Sequence, residues 1–177
     1  MVFSSAIFLF FFLPVLYFIY RLVPGIKGKN IVLVVFSLIF YCFGDARHLP
    51  VLAMSVLVSW GAGRLLGSLP KDRGVRRLVM ISAAVYHLGV LAAYKYLDFF
   101  VGNINAVFGS TFVLPGLGLP LGISFFTFTG LGYVIEVYRK PKNMAGSFLE
   151  AALFISLFPN ILSGPILSWK TASPQLS

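Results

Sequence analysis

Apolar residues run along this chain in long stretches interrupted by short clusters of charged and turn residues. Phe3 to Tyr20 carries no charge over 18 residues, and at about 1.5 Å per helical residue it covers roughly 27 Å, close to the hydrocarbon thickness of a bilayer. Pro14 predicts a kink within it. Further apolar runs follow near residues 31–43, 49–63, 78–94, 119–135 and 151–169. The second and third are short for a crossing, which flanking interfacial residues or local thinning can accommodate. Tyr41, Trp60, Tyr94, Tyr96, Tyr138 and Trp169 fall near the ends of these runs, where an aromatic ring buries its body and wets its polar tip. The pattern predicts an all-α fold, a polytopic transmembrane helix bundle of about six spans forming one domain over 1–177.

Composition agrees: 59% of residues are hydrophobic, 11% are charged and the mean hydropathy is +0.93. So little polar surface cannot cover a water-soluble globule of this size. A net charge of +9 would suggest nucleic acid in a soluble domain, but here the cations sit between apolar runs, and no nucleic-acid partner is expected. Arg21, Lys27 and Lys29 follow the first run; Arg64, Lys71, Arg73, Arg76 and Arg77 the third; Arg139, Lys140 and Lys142 the fifth. Arg47, Lys95 and Lys170 fall in the alternate connections. The positive-inside rule then predicts an N-terminus outside, basic loops in the cytoplasm and a tail after Trp169 outside. The first residues lack a positive n-region and no small-residue cleavage site follows, so the first span is expected to be retained. Lys95 to Gly118 is a longer outer connection compatible with a helix lying in the interface.

Residues able to carry chemistry are few: two His, five Asp or Glu and the lone Cys42, which reads as a small buried hydrophobe. His48 lies with Asp45 and Arg47 in a connection, where a solvated loop histidine is the plain reading. His87 falls inside the fourth run, where an imidazole needs a partner or a water-filled cavity. A hydrogen bond to a neighbouring helix and a catalytic or ion-path role both stay open for it. Lys95/Asp98 and Glu136/Arg139 repeat an i, i+3 spacing suited to helix-end ion pairs or to snorkelling anchors. Gly63/Gly67 and Gly118/Gly122 match small-xxx-small spacing. Residues 122–132 mix Gly, Ser and Thr with aromatics, as a helix buried in a bundle would. No phosphate loop, metal-ligand spacing or nucleophile elbow is present, and no metal is expected.

The segment Leu119-Pro-Leu-Gly-Ile-Ser-Phe-Phe-Thr-Phe-Thr-Gly-Leu-Gly-Tyr-Val-Ile-Glu-Val-Tyr-Arg139 resembles the signature stretch of the membrane-bound O-acyltransferase family, in the bacterial branch of alginate O-acetylation and D-alanine transfer. Met1-Val-Phe-Ser-Ser5, Tyr94-Lys-Tyr-Leu-Asp-Phe-Phe100, Leu157-Phe-Pro-Asn-Ile-Leu-Ser-Gly-Pro-Ile-Leu167 and Ser173-Pro-Gln-Leu176 extend the likeness along the chain.

The resemblance implies a multi-helix bundle around a tunnel in a bacterial inner membrane. An acyl group from a cytoplasmic donor, such as acetyl-CoA or an acyl carrier, would reach a polysaccharide hydroxyl at the outer face, with a periplasmic or extracellular partner protein. It implies no bound cofactor. It also implies that this is an N-terminal portion lacking the catalytic histidine region. Neither His48 nor His87 sits in the family's catalytic motif, so no catalytic residue is expected here, His87 being only a weak candidate, and the chain alone is expected to be inactive and poorly stable. A non-enzymatic membrane scaffold or transport component is the alternative.

Overall fold

The computed structural model describes residues 6–69, 73–109, 116–162, 164 and 167–176. The opening Met1–Ser5, Lys71, residues 110–115 of the long connection, and Ser163, Pro165 and Ile166 in the 157–167 stretch lie outside the described residues. Every regular element among those described is helical.

A π-helical turn, Phe8–Phe12, leads into α1, Leu13–Leu22. Pro14 offers no N–H to the preceding turn, and the wider loop closed by Leu13 N–H on the Phe8 carbonyl meets it there. Gly25, with φ of 74°, turns the chain into α2, Ile26–Asp45. A single 3₁₀ turn, Ala46–His48, separates α2 from α3, Leu49–Ser68. Both helices have 20 residues, about 30 Å each and enough for a bilayer. They exceed the expected 31–43 and 49–63 because Lys27–Asn30 and Arg64–Ser68 continue the backbone ladder although their side chains end the apolar run.

Helix α4, Arg73–Phe108, has 36 residues. The connection expected from Lys95 is thus, as far as Phe108, the C-terminal part of this helix, not a separate interfacial element. Helix α5, Ile123–Arg139, follows, then a 3₁₀ turn at Pro141–Asn143, α6 (Phe148–Ser156), α7 (Phe158–Leu162) and α8 (Trp169–Leu176). Helix α6 starts in a capping box: Ser147 accepts the Glu150 N–H, and Glu150 accepts from the Ser147 hydroxyl and the Gly146 N–H. Among the described residues, Ile26–Ser68 and Gly74–Phe108 are the two stretches long and apolar enough to cross a membrane; Phe8–Leu22 is apolar but shorter.

Helix α5 lies between α3 and α4 and buries Ile123, Phe126, Thr127, Thr129, Gly130, Tyr133, Val134 and Val137. Its cover is supplied by α3, α4, α6, α7 and α8. A second cluster joins Phe8, Phe12, Phe40 and Phe158, with ring centroids 5.4–6.0 Å apart. Outward faces carry Phe10, Phe11, Phe18, Leu22, Leu78, Val85, Val107 and Phe108, a surface that suits acyl chains and not water. Lipid removes the hydrophobic drive between helices, so close packing and polar contacts hold such a bundle. Tyr41 and Trp169, expected at an interface, are fully buried in the core, and Cys42, expected buried, is exposed.

The stretch 151–169 is not one crossing helix. Helix α6 breaks after Ser156; the Phe158 N–H then meets the Ser37 hydroxyl of α2, and Ile161 lies against Gly122 at the start of α5. The chain afterwards returns, for the N–H groups of Trp169 and Lys170 bond Glu136, in the last turn of α5. The Trp169 indole donates to the Asn143 carbonyl, and the Asn30 side chain to that of Leu176. The tail therefore lies with the basic connections, at the end holding Lys27, Lys29 and Arg139, and not opposite them as expected. Pro159 interrupts the ladder where side-chain polarity gives no warning.

Candidate functional site

Three polar clusters interrupt the apolar bundle. The deepest joins α3, α4 and α5. His87, 1% exposed, meets Ser59 with Nε2 2.9 Å from Oγ. The Ser59 hydroxyl donates to the Ser55 carbonyl at 2.8 Å, so it accepts from the ring, and Nε2 carries the proton. Nδ1 is left bare, buried and without a hydrogen-bond partner among the described residues. Gly130 of α5 lets the helices meet: a Cβ there would lie 2.5 Å from Ser59 Oγ and 2.9 Å from His87 Cε1. This arrangement can fasten helices together; it offers no open approach to the ring.

At the end formed by the α2–α3 turn, His48 is buried instead of solvated. Its Nδ1 lies 2.8 Å from each carboxylate oxygen of Asp45, and its Nε2 lies 3.0 Å from the Leu117 carbonyl. Asp45 Oδ2 also accepts the Leu121 N–H at 2.9 Å. Gly118 takes φ of 71° beside the ring, and Tyr94 meets it edge-on at 5.6 Å. The spacing of Asp45 and His48 was visible in the sequence; their partners, some 70 positions away, carried no signal.

The opposite, basic end is organised by Arg76. Its guanidinium donates to the Leu66 carbonyl at 2.6 Å and the Tyr138 carbonyl at 2.8 Å, joining the last turns of α3 and α5, where a cation also meets the negative ends of both helix dipoles. Sequence reasoning missed this residue among its cationic neighbours. Glu136 caps α8 and forms no pair with Arg139; Asp98 accepts the Gly116 N–H, and Lys95 lies over the Tyr96 ring. Gly63 and Gly67 admit Tyr133 and Met144 side chains, and Gly118 and Gly122 stand before α5, Gly122 as its left-handed N-cap. No three His, Cys, Asp or Glu converge among the described residues.

Along its whole length the chain is similar to proteins named for O-acetyl transfer. It is 33% identical over 181 residues to the probable alginate O-acetylase AlgI of Pseudomonas aeruginosa, covering 100% of this chain and 35% of that protein. It is 31% identical over 182 residues to the protein of that name from Azotobacter vinelandii, covering 100% and 36%. The peptidoglycan O-acetyltransferase of Helicobacter pylori is 29% identical over 204 residues, covering 99% and 38%. The chain thus spans little more than a third of the length of these relatives. No family model matches it, and no solved structure does.

Proposed function

We propose that this chain, which belongs to the membrane-bound O-acyltransferase family, is the N-terminal part of a multi-pass bacterial inner-membrane enzyme that O-acylates an exported polysaccharide. The observation that carries this reading is similarity over the full chain to alginate and peptidoglycan O-acetylating proteins. The donor is a cytoplasmic acyl carrier such as acetyl-CoA, the acceptor a polysaccharide hydroxyl at the outer face, and an exported protein assists.

In this reading the π-turn with α1, then α2, α3, α4 and α5, each cross the bilayer, with the N-terminus outside, and α6–α7 enter and return without crossing. The support is the distribution of charge: once Lys170 joins the basic end, only Arg47 and Lys95 of the described Lys and Arg residues stand at the other, a sharper asymmetry than six full crossings would give. His48 has both ring nitrogens in hydrogen bonds, and His87 has Nε2 in one with its Nδ1 enclosed in the bundle. In this reading the base that takes the proton from the acceptor hydroxyl belongs to a later region.

The test is to read the locus beyond the codon for Ser177 and assay the products. The longer product transfers acetyl groups in membranes, whereas the purified 177-residue chain gives no transfer above a heat-killed control. Transfer by the short chain would place the chemistry here and make His87→Ala the informative variant. An inactive long product containing an intramembrane histidine would overturn the reading.

A further inference from the structure

The geometry points to a proton-dependent latch: His48, charged and held by Asp45, fastens residues 116–122 across the ends of α2, α3 and α5. A neutral imidazole has one N–H and one lone pair, and only the doubly protonated ring donates from both nitrogens. Here both nitrogens face oxygens that can only accept, the Asp45 carboxylate at 2.8 Å and the Leu117 carbonyl at 3.0 Å. The contacts are therefore satisfied together only by the imidazolium. When its second proton leaves for water, one nitrogen turns a lone pair toward an oxygen, and the bond to Leu117 or the bond to Asp45 is lost.

The rest of the cluster ties that event to the backbone. Asp45 holds the Leu121 N–H with the carboxylate that receives His48, so both anchors of the connection pass through one acid–imidazole pair. Gly118, in left-handed conformation, lays the chain against the ring, and Asp98 holds Gly116 on the α4 side. The titratable groups at His48 are Asp45 from α2 and the Tyr94 phenol from α4, with the buried Tyr41 phenol of α2 close to both of these; residues 116–122 contribute backbone alone, having no titratable side chain. Arg47 on the same turn is exposed. Burial makes the loss matter, because water does not freely replace a buried bond.

The latch does not depend on the transferase reading, and its test needs no activity. Amide hydrogen exchange of 116–122 is followed by mass spectrometry on the chain in membranes, from about pH 5 to about pH 9, the interval across which imidazoles exchange their proton, after correction for intrinsic rates. Protection of these amides falls about tenfold toward the alkaline end, the weight of one buried hydrogen bond, while peptides within α3 stay level. In His48→Gln the profile is flat and protection low throughout. A flat wild-type profile, or a wild-type profile kept by His48→Gln, overturns the latch. Should His48→Gln fail to accumulate, Asp45→Asn decides: the amide can turn an N–H toward Nδ1, a neutral ring then keeps its bond to Leu117, and the alkaline fall is lost, so an unmoved profile overturns the latch equally.

Discussion

At the scale of single residues, this bundle depends on places where a side chain is missing and on one where a cation is present. Gly130 is where α5 passes Ser59 and His87, and the added methyl of Gly130→Ala has nowhere to go. It should destabilise the fold by about 1–3 kcal/mol in detergent melting, with part of the loss recovered in Gly130→Ala/Ser59→Ala, whose nearer obstacle is gone. A double-mutant cycle between Ser59→Ala and His87→Phe should return a coupling of about 0.6 kcal/mol, the usual strength of a hydrogen bond between membrane helices. Arg76→Leu leaves the Leu66 and Tyr138 carbonyls without their donor. The expected cost is about 2–4 kcal/mol, with Arg76→Lys intermediate because an ammonium lacks the planar fork. Thermal unfolding of the three proteins in one detergent checks the order.

Among elements, the informative one is the short α8, which stays in place through the bonds of Glu136 to the N–H groups of Trp169 and Lys170 and through the burial of the indole between Tyr133 and Phe154. Glu136→Gln keeps an acceptor but loses the charge. In a Trp60→Phe background, where Trp169 is the only tryptophan and is excited selectively at the red edge, its emission should move to longer wavelength and become more open to iodide quenching. An unchanged spectrum would mean that packing alone retains α8. The sequence disclosed the helical cores around 31–43, 49–63, 78–94 and 119–135, because a run of apolar side chains and a helix crossing lipid impose the same requirement. It did not disclose where helices end, since Lys95 to Phe108 satisfies the backbone ladder as well as the apolar half of α4 does. The break in 151–169 was announced by Pro159, but hydropathy weighs side chains and not missing N–H groups. Likewise the sequence pointed to His87 and to the Asp45–His48 pair but not to Arg76, and the carbonyls and hydroxyls completing these clusters lie elsewhere along the chain, where many equivalents compete.

For the whole molecule, the arrangement of ends is the claim most open to measurement. With Cys42 replaced, single cysteines at Lys140 and Gln175 should react with an impermeant thiol reagent from the same face of sealed vesicles, and one at Arg47 from the other. Labelling of residue 175 together with residue 47 would restore the sixth crossing and remove the return of the chain. The aromatic cluster bears on how this bundle is made. Phe158 completes the pocket that Phe8, Phe12 and Phe40 begin, and Leu176 receives the Asn30 side chain. The helical segment carrying Phe8 and Phe12 thus waits for a residue synthesised much later, Phe158, before its inward face is filled. During that wait its aromatic side lies open to lipid and to the membrane's quality-control proteases, and the timing of translation becomes part of what decides whether the protein accumulates.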